Sequence, residues 1–235
     1  MIKPYKKDAG YSYTQGFFPT FELLRKKKDK LIAVYVSEDA LESEGYKKLS
    51  TVVEKDKLIV SSKTVERLGM KGNDHVIGVF RKYDEKLDPS LPHVVLVNPS
   101  DMGNLGNIMR SMLAFSYHDL AIVTPAADRF APHTIRSSMG AFFSIRQETF
   151  PSFESYLQAY PRPYYPFMLN EKAHGLKETE IISPAYALVF GNEATGLPKN
   201  LGNENTVFIE QSKDVDSLNL ATSVVLALYQ FSLNH

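Results

Sequence analysis

At 235 residues, 43% of them hydrophobic and 23% charged, the chain has the bulk for one large or two modest cores. It contains no cysteine, which excludes disulfide frameworks and thiolate metal centres, and its six histidines lack the spacing of a helical metal site. The net charge is zero but unevenly spread: residues 1–30 carry eight Lys/Arg against three Asp/Glu, residues 31–92 ten against eleven, and residues 93–235 nine against thirteen. Such a balance argues against indiscriminate coating of nucleic acid and leaves room for a local docking surface near the basic end.

Met1-Ile2-Lys3-Pro4-Tyr5 opens no signal-like apolar segment, and no apolar run approaches membrane-spanning length. The expectation is a cytoplasmic protein without a membrane partner. From Ser12 to about Lys82 the pattern alternates between strand and helix. Phe17 to Leu24 reads as a turn into a helix capped by Thr20, residues 31–36 as a strand and 38–49 as a helix. Residues 57–60 read as a second strand, 63–68 as a short helix and 76–80 as a closing strand. Alternation over so short a span implies a small sheet covered by helices. Within it, Arg25-Lys26-Lys27-Lys28 is ordinarily a solvated face, and it is also the best phosphate-docking candidate, each neutralised phosphate releasing counterions. Residues 83–92, polar with two prolines, read as a linker.

From His93 the rhythm lengthens. Val94-Val95-Leu96-Val97 is an uninterrupted apolar run, as a parallel strand needs when both faces are covered. A turn-rich loop follows, then a helix whose Leu105, Ile108, Met109, Met112 and Leu113 form one buried stripe beside polar Asn107, Arg110 and Ser111. Residues 120–124 read as the next strand, completing a parallel crossover unit, with further strands expected at 142–145, 165–169, 188–190 and 207–209. Ser217 is the expected cap of a last helix that is apolar almost all round: Leu218, Leu220, Val224, Val225, Leu226, Leu228, Phe231. So apolar a helix needs burial on several sides.

In an open parallel sheet, ligands bind beyond the carboxyl ends of the strands. Three polar clusters fall there: Asn104 with Arg110, Gly191 to Leu197, and Ser217 with Asn219. A dinucleotide-dependent oxidoreductase is the rival enzyme reading, but Gly103 and Gly106 do not complete the three-glycine fingerprint and Gly106 lies inside the expected helix. Taken together the clusters resemble the motifs of the SpoU (TrmH-like) branch of the SPOUT RNA methyltransferases. The first is Asn104-Leu105-Gly106-Asn107-Ile108-Met109-Arg110-Ser111-Met112-Leu113-Ala114-Phe115, the second Phe190-Gly191-Asn192-Glu193-Ala194-Thr195-Gly196-Leu197, the third Ser217-Leu218-Asn219-Leu220-Ala221-Thr222-Ser223. Between them Ile135-Arg136-Ser137-Ser138-Met139-Gly140-Ala141 is similar to the family's Gly-Ala segment. The chain departs from the family at Glu210-Gln211, where Pro-Met is common, and at Leu220-Ala221-Thr222-Ser223.

The resemblance implies an α/β fold: a parallel-sheet methyltransferase domain over 93–235 with a deep trefoil knot, preceded by a small α/β L30e-like RNA-recognition domain over 1–82. It implies methyl transfer from S-adenosylmethionine to a ribose 2′-hydroxyl of rRNA or tRNA by a homodimer, without a metal; the alternative is a catalytically inactive RNA-binding protein of the same fold. Asn104, Arg110, Glu193, Ser217 and Asn219 are the implied catalytic residues. Leu169, Gly191, Asn192, Ile209, Ser217, Leu218 and Asn219 are the implied cofactor contacts, and Arg25, Lys26 and Lys28 the candidates for RNA.

Overall fold

Residues 2–69, 74–169 and 173–233 are described by the computed structural model. The chain begins with β1 (Tyr11–Tyr13), α1 (Phe17–Lys26), β2 (Leu31–Val36), α2 (Glu44–Val52), β3 (Leu58–Val60), α3 (Ser62–Leu68) and β4 (Val76–Arg81). These strands form one sheet in the order β1-β4-β2-β3, antiparallel except where β2 meets β3. Two helix starts differ from the sequence expectation. Gly16, not Thr20, precedes α1; Thr20 is buried within the first turn, its Oγ1 donating to Gly16 O at 2.7 Å and sharing a 2.7 Å hydrogen bond with Thr14. The helix expected over 38–49 begins later as α2, because Ser43 accepts the Tyr46 N–H and residues 38–40 make only a tight 3₁₀ turn.

The residues read as a linker are stapled down. Leu87 is buried, its N–H donating to Tyr160 Oη at 3.1 Å, and the Asp88 N–H donates to Asp119 Oδ1 at 2.8 Å. Then come β5 (His93–Val97), α4 (Met102–Ala114) and β6 (Asp119–Val123), strand, helix and strand as expected. Both strands are buried along their whole length, which is why, after His93 and Asp119, they run apolar without alternation. On α4 the buried face is Leu105, Gly106, Ile108, Met109 and Met112, close to the expected stripe.

After β6 the chain makes an excursion through α5 (Pro132–Ser137) and a 3₁₀ turn at Ala141–Ser144. That turn stands where a strand is expected at 142–145, because Phe142 and Phe143 are fully buried in an aromatic cluster with Phe80, ring centroids 6.1 and 5.2 Å away. The chain returns as β7 (Arg146–Phe150), α6 (Phe153–Ala159), β8 (Tyr164–Pro166), β9 (His174–Gly175), β10 (Ala187–Phe190), β11 (Val207–Phe208) and α7 (Leu220–Ser232). A five-stranded parallel sheet results, ordered β7-β6-β5-β10-β8, with β9 and β11 pairing separately. The strand expected at 165–169 overlaps β8 but runs three residues past it, and those expected at 188–190 and 207–209 meet β10 and β11. On α7, which packs on α4 and β10, Leu220, Val224, Ala227, Leu228 and Phe231 are buried.

Two compact units emerge: Met1–Tyr83 with Asp128–Ser144, and Asp84–Ala127 with Ile145–His235. The linear division expected at 82 and 93 therefore differs in two places. Residues 84–92 belong with the parallel sheet, and residues 128–144 leave it for the first unit, where Ser12 Oγ donates to Phe130 O at 2.5 Å. Among the described residues no helix is long and apolar enough to cross a membrane.

Candidate active site

β5 and β10 are neighbours at the middle of the parallel sheet, so the loops leaving their carboxyl ends converge. After β5, Asn98 adopts a left-handed φ of 54° and its carbonyl accepts Asn192 Nδ2 of the β10 loop at 2.8 Å. Asp101 caps α4 by accepting the Asn104 N–H at 2.6 Å. The β10 loop brings in Glu193, whose Oε2 accepts the Ser100 N–H at 2.9 Å and Oγ–H at 2.7 Å. Its Oε1 accepts the Asp101 N–H and Asn104 Nδ2, each at 3.2 Å. Burial disfavours the charged carboxylate, but these donors outweigh it and hold the group down to about 2.

A third loop joins through Asn219, whose Nδ2 donates to Asn104 Oδ1 at 3.1 Å. Asn219 Oδ1 in turn accepts the N–H groups of Ala221 at 2.9 Å and Thr222 at 3.4 Å, so Asn219, and not Ser217, caps α7. The direction of this relay is self-consistent. An ionised carboxylate only accepts, so Asn104 must turn its amide nitrogen to Glu193 and its oxygen to Asn219. Asn219 must then donate with its nitrogen, leaving its oxygen for the helix start, where free N–H groups need an acceptor.

Two cavities flank the relay. One, of about 410 Å³, is lined by Leu169, Gly191, Asn192, Ile209, Ser217 and Leu218 together with Phe167, Phe190 and Gln211. A second, of about 530 Å³, opens beside it and is lined by Asp101, Asn104, Glu193, Ser217, Leu218 and Asn219. Gly191 is required by a backbone approach within its own loop: a Cβ there would lie 2.2 Å from Gly196 C and 2.3 Å from Leu197 N. The loop closes on itself through Gly196 N–H to Asn192 O at 2.9 Å, with Gly196 at φ 66°. Gln211 Nε2 donates to the carbonyls of Val215 and Asp216 at 3.3 and 3.4 Å, bracing the loop that leads to Ser217.

Asn104, Glu193, Ser217 and Asn219 are thus brought together, and the residues read from sequence as cofactor contacts line one or the other cavity, Leu169 from an exposed rim position. Arg110 is different: it lies on the exposed side of α4, about 9 Å further along the helix axis at 1.5 Å per residue, and lines neither cavity. Lys26 and Lys28 are exposed, and Arg25 is engaged with Glu22 at 2.6 Å. Sequence reasoning misses Ser100 and Asp101. Asp before an apolar-periodic helix is a recognisable cap signal, whereas nothing local marks Ser100 as the anchor of a carboxylate 93 residues away. Among the described residues no group of His, Asp and Glu is arranged to hold a metal.

Residues 92–229 match the family model described as the SpoU rRNA Methylase family. The chain is 33% identical over 139 residues to Ribosomal RNA small subunit methyltransferase G 2 of Syntrophobacter fumaroxidans, an alignment covering 59% of this chain and 26% of that protein. It is 30% identical over 146 residues to the 23S rRNA (uridine(2479)-2′-O)-methyltransferase of Streptomyces viridochromogenes, covering 58% of this chain and 50% of that one. It therefore spans a quarter to a half of the length of these curated relatives. In fold it is similar to the SpoU methyltransferase AviRb from Streptomyces viridochromogenes in complex with AdoMet, with TM-score 0.80 and 22% identity over 95% of this chain and 90% of that one.

Proposed function

Because the chain belongs to the SpoU rRNA Methylase family, we propose that it transfers a methyl group from S-adenosylmethionine to a ribose 2′-hydroxyl of rRNA or tRNA. The observation that carries this reading is the relay Glu193–Asn104–Asn219 at the junction of two cavities, one for the cofactor and one for the ribose. A volume of about 410 Å³ with apolar walls and a few convergent polar groups is what a small-molecule site requires.

Bound S-adenosylmethionine supplies an electrophilic sulfonium methyl group. The chain must hold the hydroxyl oxygen in line with it, so that the O–C bond forms as the C–S bond breaks, and must stabilise the charge that develops on oxygen as its proton leaves. Asn104, fixed by Glu193, and Asn219, fixed by the start of α7, present oriented amides to the cleft, with the Ser217 hydroxyl beside them. Arg110 is a permanent cation, a poor base and a good partner for an alkoxide or a neighbouring phosphate; its exposed place on α4 suits a group that meets the RNA. An intact relay favours an active enzyme over an inactive RNA-binding protein.

The proposal extends to assembly and substrate docking. On α7 and at its C-cap, Leu226, Tyr229 and Leu233 are 37%, 53% and 59% exposed, apolar surface that a second copy would cover in a homodimer. The deep trefoil knot of the family is part of the reading. The first unit would serve as the L30e-like RNA-docking part, with Arg25, Lys26 and Lys28 among its phosphate contacts, in a cytoplasmic enzyme. The test is methyl transfer from isotopically labelled S-adenosylmethionine to bulk rRNA and tRNA, followed by mass spectrometry of the nucleosides. Labelled 2′-O-methylnucleosides with the parent and none with Asn104→Ala are expected; label on a base, or none, refutes the reading.

A further inference from the structure

Leaving β11, the chain passes Ile209, Glu210 and Gln211 before the loop that ends at Ser217 and Leu218. Ile209 and Gln211 line the 410 Å³ cavity, whereas Glu210 between them does not: its carboxylate lies over Gly175 of β9, where a Cβ would meet Oε1 at 2.7 Å. Residues 212–217 are exposed. Among the described residues their hydrogen bonds are of two kinds. Some close the loop on itself: Ser212 Oγ donates to Asp214 Oδ2 at 2.9 Å, and the N–H groups of Asp214 and Val215 donate to Ser212 Oγ at 3.1 Å and Ser212 O at 3.4 Å. The others run to Gln211, whose Nε2 donates to the carbonyls of Val215 and Asp216 at 3.3 and 3.4 Å. Both partners only accept, so the amide must turn its nitrogen to them and commit both N–H groups there. At the far end, Asn219 is fixed by its bonds to the start of α7 and to Asn104. Ser217 and Leu218, which line both cavities, are therefore framed between two side-chain amides.

We propose that Gln211 is a positioning residue for the cofactor: its amide clasps the loop 212–217, so that Ser217 and Leu218 stand as a preformed wall of the cavity that receives S-adenosylmethionine. An exposed loop without a clasp keeps its backbone freedom until a ligand orders it, and that loss of entropy is subtracted from affinity. A loop ordered in advance escapes the subtraction. The clasp needs an amide and not merely bulk, since methionine, of similar length, has no donor for the two carbonyls. The proposal rests on the methyltransferase reading for the identity of the ligand, whereas the clasp itself rests on the hydrogen bonds of Gln211. It goes beyond the Glu193–Asn104–Asn219 relay, because it assigns the shape of the cofactor wall to a residue outside it.

The experiment compares the parent with Gln211→Met, Gln211→Glu and a neighbouring control, Glu210→Gln. Trypsin cleavage after Lys213, inside the clasped loop, is timed by mass spectrometry relative to sites elsewhere on the chain, and reports local opening. Calorimetry gives the affinity for S-adenosylmethionine, and steady-state transfer gives KM and kcat. Gln211→Met is expected to be cut at Lys213 about fivefold faster and to bind S-adenosylmethionine about five- to tenfold more weakly, the range for losing a pair of neutral hydrogen bonds. Its melting temperature should stay within about 2 °C of the parent, the site being at the surface. Gln211→Glu should go further at neutral pH, because a carboxylate offers the two carbonyls no donor and is repelled by them. KM for S-adenosylmethionine should rise by about the factor lost in affinity, with kcat changed less. Glu210→Gln should remain within about twofold of the parent throughout. Parental cleavage and affinity in Gln211→Met overturn the proposal, as does faster cleavage with parental affinity, or an equal loss in Glu210→Gln. A melting temperature lowered by more than about 5 °C with parental cleavage at Lys213 makes Gln211 a packing residue only and overturns it too. A parent that binds no S-adenosylmethionine, with Lys213 still cut faster in Gln211→Met, keeps the clasp and sinks the methyltransferase reading.

Discussion

Glu193→Gln is the perturbation that probes the relay most directly. The carboxylate accepts four hydrogen bonds, two on each oxygen. An amide can keep one pair only; its NH₂ then faces donors where the second oxygen stood. Losing two charge-assisted bonds of about 1.5–3 kcal/mol each gives ~3–6 kcal/mol at full burial, and screening at this half-exposed site reduces that to about 1–2 kcal/mol. The acidity agrees: a carboxyl held down to about 2 instead of about 4.3 represents ~3 kcal/mol before the same discount. For a chain of this size the melting temperature should fall by roughly 2–8 °C. A depressed folded-state value stabilises fully above the unfolded value and is lost as pH falls through the folded one. The stability gap between parent and Glu193→Gln should therefore be constant from pH 7 to 5 and close as pH falls from about 4 towards 2. Methyl transfer should drop roughly 10²-fold, because Asn104 loses the acceptor that fixes its amide, while S-adenosylmethionine affinity holds. Thermal melts at pH 7, 5, 4 and 3 with a parallel transfer assay decide it. A gap as wide at pH 3 as at pH 7, or no gap anywhere, refutes the reasoning.

Arg110→Ala should change stability by no more than about 0.5 kcal/mol, as expected of an exposed helix position, and abolish turnover; a variant keeping a tenth of the parental rate in single-turnover assays removes Arg110 from the chemistry. Asn219 has two separable tasks. Asn219→Ala should lose about 1 kcal/mol with the α7 cap and also turnover, whereas Asn219→Asp keeps the cap and removes the donor to Asn104, so melts near parental with lost transfer are expected, and intact transfer in Asn219→Asp contradicts the relay. Tyr229→Asp should convert a dimer to monomer in light scattering at micromolar concentration; a monomeric parent with full activity refutes the assembly.

The elements legible in the sequence are those whose burial leaves a one-dimensional trace. Val94-Val95-Leu96-Val97 and the apolar stripe of α4 read directly as a doubly covered strand and a one-faced helix. Caps read less well, because Ser, Thr and Asn can all cap and the choice depends on where the chain turns. Ser217 and Thr20 have the right chemistry, yet Asn219 and Gly16 occupy the turning points. β7 is hidden by its polarity: its Arg146 pairs with the fully buried Asp119 at the matching register position of β6, bonds of 2.6 and 2.7 Å that look in sequence like ordinary surface charges. The relay is a different case. Its members lie 89 and 115 residues apart, so the resemblance could gather them but could not reveal Ser100, which completes the carboxylate's shell.

Least legible is the excursion between β6 and β7, and the reason is physical. An apolar run such as Phe142-Phe143 has the same pattern whether it crosses a sheet or plugs a neighbouring core, and only the partner decides. Here the partner is Phe80 at the end of β4, more than sixty residues earlier, with Ser12 and Tyr5 fastening the approach at Phe130 and Asp128. Contiguous charge counts inherit the same blindness. Cut at 30 and 92, they show a basic tip, a near-neutral middle and an acidic remainder with an excess of four. Grouped by the two units, the same 27 positive and 27 negative residues divide into excesses of seven, opposite in sign. Under the function proposed above, the basic excess lies in the first unit, which residues 128–144 complete although in sequence they stand between β6 and β7.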